Sequence, residues 1–129
     1  MQLFRQISYN APRFYSGLYQ GDIMLIIHTT TPTKKEAKNL IKILLESRLI
    51  ACGQYFKIKS HYVWKDSKDK RKLCKEKEYL LILKTLPECY EKIQSLIRSH
   101  HSYEVPEMLS FEAKAENAYN TWLVENLSL

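Results

Sequence analysis

Ile23-Met24-Leu25-Ile26-Ile27 is an unbroken apolar run, rich in Ile. Five such residues are too few for a buried helix and read as a strand covered on both faces, hence central in a sheet. Everything else in the chain must supply neighbours for that strand and cover for its two sides. The run continues into His28-Thr29-Thr30-Thr31 and stops at Pro32, which cannot donate to a ladder. Thr33-Lys34-Lys35-Glu36 has capping-box spacing. The helix it opens carries Ala37, Leu40, Ile41, Leu44 and Leu45 on one stripe, with the lysines off it, and is expected to end near Arg48.

A two-faced strand follows. Phe56, Ile58, Ser60, Tyr62 and Trp64 alternate with Lys57, Lys59, His61, Val63 and Lys65, a period of two. The first set is largely aromatic and is expected to face the core or a partner; the second, largely basic, is expected to face water. Asp66 to Lys72 reads as a polar turn, and Leu73 to Thr85 as the returning strand. The pair predicts a long hairpin with a basic tip. Thr85-Leu86-Pro87-Glu88 again places a threonine three residues before an acid, predicting a second capped helix with Tyr90, Ile93, Leu96 and Ile97 on its stripe. His100 to Glu107 is a loop. Leu109, Phe111, Ala113 and Ala115 alternate as a fourth strand, and a last helix carries Tyr119, Trp122, Leu123 and Leu127. The order strand, helix, strand, strand, helix, strand predicts an α+β ferredoxin-like sandwich with a C-terminal helix. Its strands carry apolar residues at both parities, yet two helices cover only one face. Self-association is the simplest cover for the other.

Net charge narrows the function classes. The chain of 129 residues has 20 Lys+Arg and 14 Asp+Glu, net +6. Between Lys57 and Lys77 nine cations (Lys57, Lys59, Lys65, Lys68, Lys70, Arg71, Lys72, Lys75, Lys77) face three acids (Asp66, Asp69, Glu76). That window holds the whole surplus, so the charge belongs to the hairpin and not to a basic domain; a charged tip of this kind keeps strand edges from aggregating, and nucleic acid is not the expected partner. Three cysteines without a CxxC pair exclude a disulfide scaffold. No apolar run reaches the roughly 20 residues that span a bilayer. Residues 1–21 contain no acid and only Arg5 and Arg13 as cations; they read as an N-terminal arm or a targeting segment ahead of a domain over 22–129. The expected compartment is the cytoplasm, or an organelle if 1–21 is a transit segment.

From Ile23 onward the sequence resembles the CutA family of divalent-cation tolerance proteins. The motifs that carry the resemblance are Thr30-Thr31-Pro32, Arg48-Leu49-Ile50-Ala51-Cys52, Ser60-His61-Tyr62-Val63-Trp64-Lys65, Glu78 to Thr85, His101-Ser102-Tyr103-Glu104-Val105-Pro106-Glu107, and Tyr119 with Trp122. The resemblance implies a ferredoxin-like fold assembled as a homotrimer, hairpins that bridge subunits, and a link to copper or other divalent metals. Three features depart from the family pattern: Ser102 stands where proline is usual, the Lys/Arg-rich turn after Trp64 is longer, and residues 1–21 have no counterpart in compact members. Thr29 also occupies a position where some members carry cysteine.

Two constellations could carry chemistry. Imidazole suits copper, zinc and nickel, which makes His100 and His101 candidate ligands for Cu(II) or another divalent cation, with Glu104 and Glu107 as co-ligands. Adjacent residues point far apart in regular backbone, so both rings meet one ion only in irregular backbone or across subunits. The second set is Ser60, Tyr62, Trp64, Glu78, Lys84, Tyr103, Glu107, Tyr119 and Trp122. The resemblance gathers such positions near a cleft between subunits, where aromatic walls with a few polar groups suit a small ligand; packed interface anchors are the plainer account. The sequence has no nucleophile–base motif, no HExxH and, with three glycines, no phosphate loop. The expectation is therefore a metal-binding homotrimer and not an enzyme. The alternative is a trimeric signalling or scaffold module resembling the PII proteins, with a small ligand at subunit clefts.

Overall fold

The computed structural model describes residues 23–129; the arm or targeting segment expected over 1–21 lies outside the described residues. Eight elements follow in order: β1 (Ile23–Thr31), α1 (Lys34–Glu46), β2 (Cys52–Lys65), β3 (Arg71–Thr85), a short 3-10 turn (Pro87–Cys89), α2 (Tyr90–His100), β4 (Leu109–Lys114) and α3 (Asn117–Glu125). The strands form one antiparallel sheet in the order β2-β3-β1-β4. This is the expected split βαβ topology of a ferredoxin-like sandwich, with β1 in the interior of the sheet.

Alternation along the strands separates two faces. Leu25 and Ile27 of β1 with Leu81 and Leu83 of β3 lie under the helices and are fully buried. They pack with Leu40 and Leu44 of α1 and Ile93 and Ile97 of α2 into one core. α1 comes so close to β2 at Gly53 that a Cβ there would sit 2.7 Å from Ile41 Cγ2, which explains a glycine within a strand. The other face carries Ile26, Leu80, Ile82, Phe56 and Phe111. Among the described residues no helix lies over most of it: Phe56 is 50% and Leu109 56% exposed.

Local chemistry explains the element ends. Thr33 Oγ1 accepts from Glu36 N–H (3.1 Å) and caps α1, while the Glu36 carboxylate accepts from Ser102 Oγ (3.1 Å) instead of closing the capping box. α1 ends in a Schellman arrangement: Leu49 N–H reaches Leu44 O and Arg48 N–H reaches Leu45 O. Arg48 takes the left-handed position usually given to glycine (φ 57°). Its guanidinium donates to Glu125 O (3.3 Å) and its carbonyl accepts from Ser128 N–H (2.9 Å). α3 is thereby tied to the end of α1 with Leu123 and Leu127 buried.

One expected cap is not formed. Thr85 is fully buried and its hydroxyl donates to Leu49 O (2.6 Å), so the second helical stretch starts at Leu86 with no side-chain cap. Proline in that first turn holds the chain in its place. The hairpin is also longer than its sequence turn: β2 and β3 pair without interruption from Cys52↔Lys84 to Lys65↔Arg71, so Arg71 and Lys72 belong to the strand. Pairing of β3 with β1 stops at Tyr79. Ile58–Lys65 and Arg71–Glu78 therefore project beyond the sheet as a two-stranded ribbon, about 27 Å long at ~3.4 Å per residue. Its turn is held by Asp66, whose Oδ1 accepts from Lys68 and Lys70 N–H (2.9 Å each), with Asp69 at φ 63°.

Candidate functional site

The ribbon and the loop after α2 enclose a cleft of about 580 Å³. Ser60, Tyr62 and Trp64 come from β2, Cys74 and Glu78 from β3, Thr30 from β1, and Ser102 to Val105 with Glu107 from the loop. The strand residues converge for a simple reason. Phe56, Ile58, Ser60, Tyr62 and Trp64 share the face opposite the helices, and register sets Ile58 against Glu78 and Tyr62 against Cys74. His61 completes the lining.

The loop is fastened to the sheet by two side chains. His101 Nε2 lies 2.6 Å from Thr30 O, and His101 Nδ1 accepts from Tyr103 N–H (3.0 Å). Because Nδ1 accepts, the proton sits on Nε2 and is donated to Thr30. Tyr103 then stacks against the imidazole (ring centroids 4.9 Å) and donates its phenol to Glu78 Oε2 (2.6 Å). Glu78 is buried, 7% exposed. Burial first, and then the bond to Glu78, push the Tyr103 phenol well above its ordinary range. The Tyr62 phenol is also raised, by desolvation and by its hydrogen bond to Glu76.

These contacts sort the residues expected from sequence. Ser60, Tyr62, Trp64, Glu78, Tyr103, Glu104 and Glu107 meet around one cleft. Lys84, Tyr119 and Trp122 do not join them. They form a separate group near the start of β2, with Lys84 Nζ 5.9 Å from the centre of the Tyr119 ring and Tyr119 and Trp122 5.4 Å apart. Lys84 pairs with Cys52 at the base of the hairpin, six residues from Glu78 along β3, so within one chain the two groups stand apart. His100 ends α2, exposed, with Nδ1 directed at Leu96 O (3.1 Å) and Ser99 Oγ (2.9 Å). Both nitrogens of His101 have partners within the chain. Among the described residues no three His, Cys, Asp or Glu side chains converge as a metal site within one chain. Thr29 is fully buried under the helices, so even a cysteine there would face the core.

Residues that the sequence reading passed over include Thr30, which supplies both wall and acceptor, and His61 and Cys74. Register would have exposed Cys74, since it lies directly across from Tyr62. The cleft combines aromatic walls with carboxylates: Glu78, Glu104 and Glu107 line it, and among the described residues no Lys or Arg does. Such a surface attracts cations and can hydrogen-bond a polar ligand.

Comparison with known proteins agrees with this architecture. Residues 25–126 match the family model described as CutA1 divalent ion tolerance protein. The chain is 35% identical over 107 residues to the divalent-cation tolerance protein CutA of Thermotoga maritima, covering 81% of this chain and 99% of that one. It is 36% identical over 98 residues to a probable divalent-cation tolerance protein cutA homolog of Encephalitozoon cuniculi, covering 75% and 82%. Among solved structures, the periplasmic divalent cation tolerance protein CutA of Archaeoglobus fulgidus superposes with a TM-score of 0.76 at 27% identity, over 81% of this chain and 99% of that chain. CutA1 of Oryza sativa gives 0.75 at 27% identity, over 83% and 95%. With its fold and its match over residues 25–126, the chain belongs to the CutA1 divalent ion tolerance family.

Proposed function

We propose that this protein acts in metal-ion tolerance as a homotrimer, and that it meets divalent cations at the acidic cleft without turning over a substrate. The observation that carries the reading is the cleft's lining: three carboxylates, one imidazole and one thiol, with no lysine or arginine among the described residues that form it. Among the described residues one chain gathers too few donors at bonding distance for a cage. Ligands from separate subunits therefore complete the coordination, with Glu104 and Glu107 in the cleft and His100 on the nearby surface as this chain's contributions. Imidazole and thiol favour copper, and carboxylates accept it. His101 is assigned to holding the loop and not to the ion.

Trimerisation is supported by the uncovered apolar sheet face and by the ribbon. A two-stranded hairpin with nothing against it is marginal in water, and the exposed Phe56, Tyr62, Trp64 and Phe111 are the large amphipathic side chains that interfaces favour. Light scattering is expected to give three times 15.3 kDa; a monomer at micromolar concentration contradicts the assembly. Calorimetric titration of Cu(II) is expected to show affinity that falls in Glu104→Gln/Glu107→Gln and His100→Ala. Unchanged affinity in all of these removes the cleft as the metal site.

The aromatic wall of Tyr62, Trp64 and Tyr103 favours a second reading, a PII-like signalling or scaffold trimer that holds a small polar molecule in the same cleft. A thermal-shift screen separates the two, because stabilisation by nucleotides and not by metals contradicts the metal reading.

A further inference from the structure

The ribbon has a second side that, apart from His61, the cleft does not use. Side chains at Lys57, Lys59, His61, Val63 and Lys65 continue the helix-covered side of the sheet, and register sets them against Tyr79, Lys77, Lys75, Leu73 and Arg71. Lys59 thus lies directly across from Lys77, His61 from Lys75 and Lys65 from Arg71. The ribbon's acids, Glu76 and Glu78, are on the opposite side, facing Ser60 and Ile58. Like charges directly opposite destabilise a strand pair. Lys65 is relieved by Asp69 of the turn (3.7 Å), and the rows behind it carry no acid. Between the rows of cations stands one apolar pair, Val63 and Leu73, 42% and 75% exposed. A charged edge that serves only solubility has no use for that pair. Nucleic acid has little use for it either, because the aromatics that would stack on bases, Tyr62 and Trp64, are on the other side.

We propose that this side of the ribbon docks on anionic lipid bilayers. The cations would sit among the headgroups, and Val63 and Leu73 would enter the interface between them. The surface belongs to a single chain. It remains outward when the opposite, aromatic side packs against a neighbour, and a trimer would present it three times, so that weak single contacts add.

The test is sedimentation of the full 129-residue protein with phosphatidylcholine vesicles, with and without phosphatidylserine. Binding is expected only with phosphatidylserine, and is expected to weaken as salt rises from about 0.1 to 0.5 M. Lys75→Gln/Lys77→Gln is expected to lower partition about 25-fold, at roughly fivefold per cation near an anionic surface. Leu73→Ser is expected to lower it about tenfold. Lys38→Gln/Lys42→Gln removes equal charge from α1 and is expected to change nothing. All variants alter exposed side chains, and their folding and mass are checked by circular dichroism and light scattering. No phosphatidylserine-dependent sedimentation overturns the proposal. So does equal loss in the α1 variant, which would reduce the effect to net charge. Binding to a DNA duplex at the same salt that survives Leu73→Ser, without vesicle partition, assigns the surface to nucleic acid and overturns it as well.

Discussion

Replacing His101 by alanine tests whether this residue shapes the site or serves it. The substitution removes the donor to Thr30 O and the acceptor for Tyr103 N–H. Thr30 is 4% exposed, so its carbonyl has little access to water, and a buried carbonyl left unpaired costs about 1–3 kcal/mol. The Tyr103 amide is better placed to find water, and its loss is about 0.5 kcal/mol. Loss of the stacked ring beneath Tyr103 adds a similar amount. The sum is about 2–4 kcal/mol, which lowers the Tm of a domain of this size by roughly 10–15 °C. His101→Gln, able to donate to Thr30, is expected to recover about half of that shift. Thermal unfolding followed by circular dichroism at fixed protein concentration measures both, and Cu(II) titration of the same samples is expected to give the wild-type affinity. A His101→Ala protein that melts with the wild type but binds copper tenfold more weakly would refute the assignment, because the imidazole would then be a ligand.

Three further outcomes follow from particular contacts. Gly53→Ala is expected to cost about 1–3 kcal/mol, since its Cβ meets Ile41 Cγ2 at 2.7 Å; Gly53→Ala/Ile41→Ala should cost less than the two singles summed, and strict additivity in denaturant unfolding would contradict the clash. Thr29→Val is expected to raise stability by about 1 kcal/mol, because Thr29 Oγ1 is buried without a partner among the described residues; a lower denaturation midpoint would reveal a hidden partner. The raised Tyr103 phenol means that the folded state holds that proton more tightly than the unfolded chain, whose phenol titrates near 10. Its contribution is complete below about pH 10 and is lost as pH rises beyond that, so the wild-type midpoint should fall more steeply above pH 10 than that of Tyr103→Phe; parallel slopes would exclude the effect.

How far the chain could be interpreted before its structure depended on the distance over which each interaction acts. The interior position of β1 was legible in five apolar residues, and α1 in the spacing of Ala37, Leu40, Ile41 and Leu44 together with Thr33. Those signals are periodic or lie within one turn. Thr85-Leu86-Pro87-Glu88 had the same spacing and misled, because the partner of Thr85 is the carbonyl of Leu49, 36 residues earlier. The candidate site divides in the same way. Period two placed Ser60, Tyr62 and Trp64 together. Their meeting with Tyr103, and the separation of Lys84, Tyr119 and Trp122 from them within one chain, depended on strand register and on the path of the loop. His101 is a candidate ligand by residue type alone. Its bond to Thr30 spans 71 positions, and no local pattern announces it.

The turn at the ribbon's end separates shape from charge. Its conformation rests on the Asp66 carboxylate, two backbone amides and the left-handed Asp69; of Lys68 and Lys70 it uses only the main chain. Those two side chains can be neutralised, reversed or chemically labelled while the bend stays as it is. A series of variants there would vary electrostatic potential at constant geometry, a clean titration of field strength that few protein loops permit.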